Sequence, residues 1–198
     1  MRLLLGTKNR GKIREMREIL LDLGLPQVRL LTFEEVPFSD IAEVGESLEE
    51  NALLKARRIC EETGLPVLAE DSGLEVEALN GRPGVHSARF AGERATDGEN
   101  IAKLLALLEG VGDRRARFRA VAVLRFPDGK ELVAEGELRG EIALEPRGKS
   151  GFGYDPVFIP EGFTETLAEL GLTIKNEISH RRRALEKLLM MFHEQLWR

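Results

Sequence analysis

A short apolar stretch that runs straight into two acidic residues is the sequence feature that most constrains how this chain folds. Residues 66–69 predict a buried strand, and Glu70-Asp71-Ser72-Gly73 follows at once, so we expect the strand to stop at Glu70. Ionised carboxylates at the edge of a core are costly unless another group pairs with them. Either a hard metal cation is that partner, which makes the segment a reaction site, or the segment is an Asp-Ser-Gly turn with a solvated Glu70.

Helices and strands alternate in the first half of the chain. Helices are predicted at about 12–23, closed by Gly24 and Pro26, and at 48–63, 97–109 and 179–196; Ser47 with Glu50 and Thr96 with Glu99 are predicted to form capping boxes. Strands are predicted at residues 3–5, 28–31, 67–69, 74–79, 117–126, 131–137, 141–144 and 157–159, with a hairpin turn at 128–129. This mixture predicts an α/β fold with a long mixed sheet and flanking helices.

The length and net charge of the chain limit the classes of protein to which it can belong. A chain of 198 residues with 42% hydrophobic residues predicts one globular domain over residues 1–198. Its net charge of −5 disfavours broad nucleic-acid binding, and it has no apolar run long enough for a membrane span. Lys8, Arg10 and Lys12 interrupt the N-terminal apolar stretch, which disfavours a signal peptide. The single Cys60 cannot form an internal disulfide. Because the N-terminus also lacks the pattern of a signal peptide, we expect the protein to be cytoplasmic.

A basic loop between the first strand and the first helix is the first candidate ligand site. It comprises Thr7, Lys8, Asn9, Arg10, Gly11 and Lys12. A strand–loop–helix junction presents free backbone N–H groups, which suit phosphate. The loop matches neither a Walker A sequence nor the dinucleotide fingerprint, and the alternative is a basic surface loop.

An acidic set is the candidate metal site. It comprises Glu43, Glu46, Glu70 and Asp71. Magnesium usually takes only one or two protein carboxylates, so two of these acids with phosphate oxygens would suffice. The alternative is solvated surface charge, which is the better interpretation for Glu46. The three histidines are scattered and do not suggest zinc.

The second half of the chain holds two further candidate segments. Phe152-Gly153-Tyr154-Asp155, in a glycine-rich loop, offers an aromatic face and a carboxylate to a nucleobase. Lys175 and the cations that follow Ser179, namely His180 and Arg181, lie near the start of the last helix, where positive charge is unfavourable unless an anion is nearby. The alternatives are core packing for the loop and a solvated face for the cations.

Lys55 lies within the second predicted helix, one turn after Asn51 and among small apolar residues. Its amine can either reach solvent along the helix surface or point towards phosphate.

Taken together, these segments resemble the non-canonical purine nucleoside triphosphate pyrophosphatase family, the inosine/xanthosine triphosphate pyrophosphatases. Six segments match in the family's order over nearly the whole chain: residues 7–12, 50–56, 70–74, 83–89, 151–156 and 175–181. Two small departures are Lys8, where many relatives have Gly, and Glu70, where many bacterial relatives have Asp.

The resemblance implies a fold, an activity and a set of roles. It implies two lobes around a nucleotide-binding cleft, a homodimer, and a Mg²⁺-dependent hydrolase that converts ITP, dITP or XTP to the monophosphate and pyrophosphate. Asp71 would be metal ligand or general base, Glu43 a second metal ligand, and Lys55 catalytic. Lys12, Lys55 and the backbone of Thr7–Asn9 would hold the phosphates. Phe152, Asp155, Lys175, His180 and Arg181 would hold the base and sugar. Further substrate-binding residues would be Lys8, Arg10, Gly11, Ser72, Gly153 and Tyr154.

The sequence also allows two other functions. One is a nucleotide pyrophosphatase similar to the Maf-like proteins, which act on modified or pyrimidine triphosphates. The other is a non-catalytic nucleotide sensor or RNA-binding protein that uses the same basic loops. The acidic chain lacks an aromatic-and-basic strand pattern, which disfavours RNA.

Overall fold

A computed structural model describes residues 1–25 and 28–196 of the protein. The predicted helix stop at Pro26 lies outside the described residues, as do the last two residues of the predicted domain, Trp197 and Arg198. No helix within the described residues is long and apolar enough to cross a membrane.

Six strands, six α-helices and three short 3₁₀ helices are formed by the described residues. The strands are β1 (Arg2–Leu5), β2 (Arg29–Leu31), β3 (Val67–Val76), β4 (Arg115–Arg125), β5 (Glu131–Ile142) and β6 (Phe158–Pro160). The helices are α1 (Arg10–Asp22), α2 (Leu48–Thr63), α3 (Asp97–Leu107), α4 (Leu167–Leu170), α5 (Leu172–Ile178) and α6 (His180–Leu196).

The six strands form one mixed sheet in the order β2-β1-β3-β4-β5-β6. β1 pairs in parallel with both β2 and β3, whereas β5 and β6 are antiparallel. β4 and β5 are sheet neighbours joined through the predicted turn at Asp128-Gly129, where the Phe126 N–H donates to the Lys130 carbonyl at 2.9 Å. The predicted α/β class and mixed sheet are confirmed.

The chain divides into two compact units, each with its own hydrophobic core. Unit 1 comprises Met1–Asp71, Ala120–Gly136 and His180–Arg198; unit 2 comprises Ser72–Arg119 and Glu137–Ser179. The core of unit 1 gathers side chains of α1, β1 and α6, such as Met16, Leu5 and Leu185. The core of unit 2 is built around Leu104 and Phe158.

Helix α1 shows why the sequence pattern predicted the helices well. Ile13, Met16, Ile19 and Leu20 are its buried apolar residues, at the spacing that one helix face requires. Thr96 and Glu99 form the predicted capping box of α3. The predicted box at α2 is half wrong: the Ser47 side chain accepts from the Glu50 N–H, but the Glu50 carboxylate accepts from Glu46 rather than from Ser47.

The strand predictions were wrong at two places where one strand was read as two. β3 does not stop at Glu70 but continues through the acidic pair to Val76, and β5 runs on to Ile142. The strand can continue because internal cations neutralise Glu70 and Asp71, as described below. The short helices α4 and α5 were missed, although Thr166 and Glu169 form a capping box at α4.

Close packing of α6 on β5 depends on the absence of a side chain at Gly136. A Cβ atom there would lie 2.5 Å from the Ala184 nitrogen and closer still to the His180 carbonyl oxygen. Both obstacles are backbone atoms, so they cannot move aside by a change of rotamer. The first turn of α6, which carries His180 and Arg181, is therefore held by this contact.

We predict that Gly136→Ala destabilises the protein by about 1–3 kcal/mol, the usual cost of overpacking a core. The matched control is Gly112→Ala, because a Cβ atom there would meet nothing within 4 Å. Urea unfolding of both variants measures the difference. Equal stabilities of the two variants would show that α6 is not packed against this glycine.

Candidate active site

The two acidic residues of β3 are buried within a strand rather than solvated in a turn. Glu70 is 2% exposed and Asp71 is 4% exposed. The interpretation of the segment as a turn with a solvated glutamate is therefore wrong. Because burial of unpaired carboxylates is costly, the neighbouring cations decide what this segment can do.

The Glu70 carboxylate is neutralised mainly by Arg181, the second residue of α6. The guanidinium of Arg181, which is 1% exposed, donates to Glu70 and also to Glu15 of α1. Lys12 adds a contact of 3.4 Å between its Nζ and Glu70 Oε1. Burial alone would raise the pKa of Glu70, but the charges of Arg181 and Lys12 outweigh it and hold that pKa well below its ordinary value.

The anion expected near the cations of α6 is therefore supplied by the protein itself. Glu15 and Glu70 account for the buried charge of Arg181 without a ligand. His180, also buried, precedes it as the first residue of α6. The proposed contacts of His180 and Arg181 with a purine base stay predictions.

Lys55 of α2 connects Glu43 to the acidic pair of β3. Its Nζ donates to the Glu70 backbone carbonyl at 2.8 Å and to Glu43 Oε1 at 2.9 Å, and lies 3.4 Å from Asp71 Oδ1. Of the two interpretations offered by the sequence, the one in which Lys55 reaches solvent along the helix surface is wrong, because the side chain points inward. Burial would lower the pKa of Lys55, but Asp71 and Glu43 outweigh it and raise that pKa, so the amine is charged.

Asp71 differs from Glu70 in how completely it is paired. Burial raises the pKa of Asp71, and the charges of Lys55 and Lys12 offset this only in part. Its Oδ2 atom is buried and has no hydrogen-bond partner among the described residues. A buried carboxylate oxygen that lacks a partner is ready to accept a proton or to bind a cation.

The basic loop lies directly before α1 in unit 1. Asn9 caps the helix by accepting from the Lys12 N–H at 3.0 Å, and Thr7 accepts from the Asn9 N–H at 3.1 Å. Lys8 donates to Asp40 at 2.7 Å, and Arg10 pairs with Glu34 at the surface. The loop is thus a preformed turn that carries cations, as an anion site requires.

A metal site built from three or more protein side chains is absent from the described part of the chain. No group of three or more His, Cys, Asp or Glu side chains there has the geometry to hold a metal ion. Asp71 and Glu43 both contact the Lys55 amine, which brings these two acids to one point. Two carboxylates match the small number of protein ligands that Mg²⁺ takes, so the residues present fit that ion. Glu46, by contrast, is exposed.

The glycine-rich loop forms a second candidate cluster, within unit 2. Asp155, which is buried, accepts from Lys175 Nζ at 2.6 Å and from the Phe152 N–H at 3.1 Å. The Lys175 amine also lies 4.6 Å from the centroid of the Phe152 ring. A ring with a cation against it and an adjacent carboxylate is a suitable platform for a nucleobase.

Tyr154 anchors this loop from the core of unit 2. Its hydroxyl donates to the Ser87 carbonyl oxygen at 2.6 Å, and burial raises the pKa of the phenol. The Gly153 N–H donates to Asp97 at 2.9 Å, at the start of α3. Ser72 is half-buried on β3. The substrate contacts expected for Ser72, Gly153 and Tyr154 stay predictions.

Sequence reasoning missed two buried polar residues of unit 1, Glu15 and Asn51. Glu15 lies among the apolar residues of α1, and a lone acid next to that face was the available signal. Asn51 was noticed only as part of a matching segment, although it is fully buried in α2. Both residues bind to other parts of unit 1, as described above for Glu15 and below for Asn51.

The chain combines an α/β fold with a buried acid–lysine cluster and a preformed basic loop. The chain belongs to the Ham1 family, whose sequence model matches residues 3–191. It is 48% identical to the dITP/XTP pyrophosphatase of Streptomyces coelicolor, covering 98% of each chain, and 50% identical to that of Elusimicrobium minutum, covering 95% of this chain and 98% of the relative.

Solved structures agree with the sequence comparisons. A HAM1 protein from Coxiella burnetii superposes with a TM-score of 0.87 at 44% identity, covering 98% of this chain and 99% of that chain. The Staphylococcus aureus Ham1 protein gives the same TM-score at 39% identity, covering 98% of this chain and 100% of that chain. The family resemblance drawn from the sequence is confirmed.

We predict that Arg181→Ala destabilises the protein by about 3–5 kcal/mol, because it leaves two buried carboxylates without their cation. The control is Arg182→Ala, whose partners Asp22 and Glu186 are exposed, so the loss should be about 0–1 kcal/mol. Chemical denaturation measures both. If Arg181→Ala is no less stable than Arg182→Ala, the buried ion triad does not support the fold.

Proposed function

We propose that this chain hydrolyses non-canonical purine nucleoside triphosphates, namely ITP, dITP and XTP, to the monophosphate and pyrophosphate, and so removes them from the nucleotide pool. The observation that carries the proposal is the buried Asp71 carboxylate with one unpartnered oxygen beside the Lys55 amine. The relatives named dITP/XTP pyrophosphatases, at 48% and 50% identity over nearly their full length, support the substrate class.

We assign the metal site to Asp71 and Glu43, with Mg²⁺ as the ion. When bound, Mg²⁺ neutralises phosphate charge and makes a coordinated water more acidic. The unpartnered Oδ2 atom of Asp71 and the 30% exposure of the Glu43 side chain support this assignment. Glu70 is a poorer ligand candidate because Arg181 and Lys12 already neutralise it.

A triphosphate repels the incoming nucleophile, so the protein must supply positive charge around the phosphorus atom. The Lys12 amine contacts Glu70 and the Lys55 amine contacts Glu43, so both amines lie at the acidic cluster before substrate arrives. We propose that these two lysines and the backbone of Thr7–Asn9 bind the phosphates of the substrate. Lys8 and Arg10 pair with exposed carboxylates, which a polyanion can displace at small cost.

Asp71 is also the candidate general base for the attacking water. A base works best when its pKa approaches the working pH, and burial shifts the pKa of Asp71 in that direction. Its pairing with the Lys55 amine at Oδ1 orients the carboxylate, so that Oδ2 is the atom left to take the proton. Whether Asp71 serves as ligand, base or both, its charge is essential.

Base selection is assigned to hydrogen bonding at position 6 of the purine. Hypoxanthine and xanthine carry an oxo acceptor there, and adenine carries an amino donor, so a donor in the protein pairs with the first two and not with adenine. We propose that Phe152 stacks on the base and that Asp155, Lys175, His180 and Arg181 contact base and sugar. The Lys175 amine beside the Phe152 ring supports this placement.

The quaternary structure and location are further proposals that depend on the family resemblance. We propose a homodimer that acts in the cytoplasm, with a small-molecule nucleotide as ligand and without nucleic acid or membrane as partner. Size-exclusion chromatography with light scattering tests the dimer: a mass near twice 22.1 kDa is expected, and a mass of one chain contradicts it.

A substrate panel separates this function from its rivals. With Mg²⁺, we expect pyrophosphate release from ITP, dITP and XTP to exceed release from ATP by at least about tenfold, and EDTA to stop it. A preference for modified or pyrimidine triphosphates would favour the Maf-like alternative. Nucleotide binding without any pyrophosphate release would make the protein a sensor and refute the proposal.

We predict that Asp71→Asn nearly abolishes pyrophosphate release from ITP, because the amide keeps the shape of the side chain but can neither bind Mg²⁺ well nor accept the proton. Circular dichroism should show an intact fold. The control is Asp113→Asn, an exposed acid paired only with its neighbour Arg115 in the contacts described, which should keep full activity. An Asp71→Asn variant within about tenfold of wild type, or roughly 1.4 kcal/mol of barrier, removes Asp71 from the chemistry.

A further inference from the structure

Asn51 of α2 is a fully buried amide whose two ends have very different surroundings. Its Oδ1 accepts from the Gly45 backbone N–H at 2.8 Å. Its Nδ2 is buried and has no hydrogen-bond partner among the described residues. Because the Gly45 N–H needs an acceptor, the orientation of the amide is fixed and Nδ2 points away from the loop.

The bond to Gly45 fixes the loop that carries Glu43. Residue 45 must be glycine there, since a Cβ atom would lie 2.6 Å from Asn51 Oδ1 and 2.8 Å from the Glu50 Cβ. The next residue is tied to the same helix turn by the bond from the Glu46 N–H to Glu50 Oε2 at 2.7 Å. Asn51 thus holds the backbone, while Lys55, one turn later, holds the Glu43 carboxylate.

The unpartnered donor needs a separate explanation. A buried N–H group without an acceptor is unfavourable, and the bond from Gly45 to Oδ1 does not remove the cost at Nδ2. In the same unit, Asp71 Oδ2 is also buried without a hydrogen-bond partner among the described residues, whereas Glu70 Oε1 has the 3.4 Å contact with Lys12 Nζ. Asn51 lies one helical turn before Lys55, whose amine contacts Asp71, so the spare donor and the spare acceptor suit a ligand that supplies oxygen atoms and a cation.

We propose that Asn51 is a positioning residue for the reaction, an inference that rests on the proposed function. Its carbonyl oxygen fixes the loop that carries Glu43, and its amide N–H donates to an oxygen that arrives with the substrate. That oxygen belongs either to a phosphate group or to the attacking water. The substrate-free protein keeps the donor unpaired, and binding satisfies it.

The test compares two buried asparagines, of which Asn51 has an unpartnered Nδ2 and Asn100 is hydrogen-bonded at both ends of its amide. Asn100, in unit 2, uses both ends: its Oδ1 accepts from the Ala91 N–H at 2.8 Å, and its Nδ2 donates to the Ala88 carbonyl at 3.0 Å. Asn51→Leu and Asn100→Leu make the same chemical change at both positions. Gly45→Ala is the third variant, because it disturbs the loop without removing the Asn51 amide.

We expect Asn51→Leu to lower kcat/KM for Mg²⁺–ITP by about 10- to 100-fold, the kinetic equivalent of one hydrogen bond to a charged acceptor. Its free energy of unfolding without substrate should fall less than that of Asn100→Leu, which breaks two bonds and should leave kcat/KM within about twofold of wild type. A rise in KM assigns the acceptor to phosphate, and a fall in kcat alone assigns it to the attacking water.

Metal binding provides a readout that does not depend on turnover. Titration of Mn²⁺ followed by electron paramagnetic resonance should show several-fold weaker binding for Gly45→Ala and Asn51→Leu than for wild type and Asn100→Leu. At saturating metal, Asn51→Leu should remain slower than Gly45→Ala, because only it lacks the donor. These measurements remain informative if Asn51→Leu does not fold, since Gly45→Ala still tests the loop anchor.

Two results overturn the inference. One is an Asn51→Leu protein within about twofold of wild type in kcat/KM; the other is unchanged Mn²⁺ affinity in Gly45→Ala. A wild-type protein that releases no pyrophosphate from any purine triphosphate refutes the proposed function instead, and the Mn²⁺ comparison still shows whether Gly45 and Asn51 shape a metal site.

Discussion

The pairing of one buried guanidinium with two buried carboxylates is the interaction on which the candidate site depends. Arg181 neutralises Glu70 inside β3 and Glu15 on α1, so the first turn of α6, the middle of the strand and the first helix are held together within unit 1. With Glu70 neutralised, the strand continues instead of breaking at a charged turn. Asp71, the next residue, is therefore presented from rigid backbone, as a precise reaction site requires.

Among the buried acids that the structure describes on β3, Asp71 differs from Glu70 because the neighbouring cations offset its burial only in part. Lys55 binds one oxygen of Asp71 and the carboxylate of Glu43, while Lys12 contacts Glu70. Each cation neutralises carboxylates in the substrate-free protein, and under the proposed function it also supplies positive charge to a triphosphate. The pKa of Asp71 is raised because its burial outweighs these charges.

The sequence predicted most of the fold because its helices carry their own signals. The apolar face of α1 and the Thr96–Glu99 capping box are local patterns, and both appear in the structure. The continuity of β3 was not predictable in this way, since it depends on Arg181, which is 111 residues from Glu70 along the chain. Asn51 was missed for a similar reason: its hydrogen bond to Gly45 and its unpaired amide are visible only in three dimensions.

The central claim is that Asp71, with Glu43, binds the catalytic metal ion. A crystal structure with Mn²⁺ and a non-hydrolysable ITP analogue tests it most directly, because Mn²⁺ is located by anomalous scattering. We expect an anomalous peak at about 2.1 Å from an Asp71 carboxylate oxygen, with phosphates against Lys12 and Lys55. A metal ion bound elsewhere, with Asp71 still paired to Lys55, would show that Asp71 is not a metal ligand.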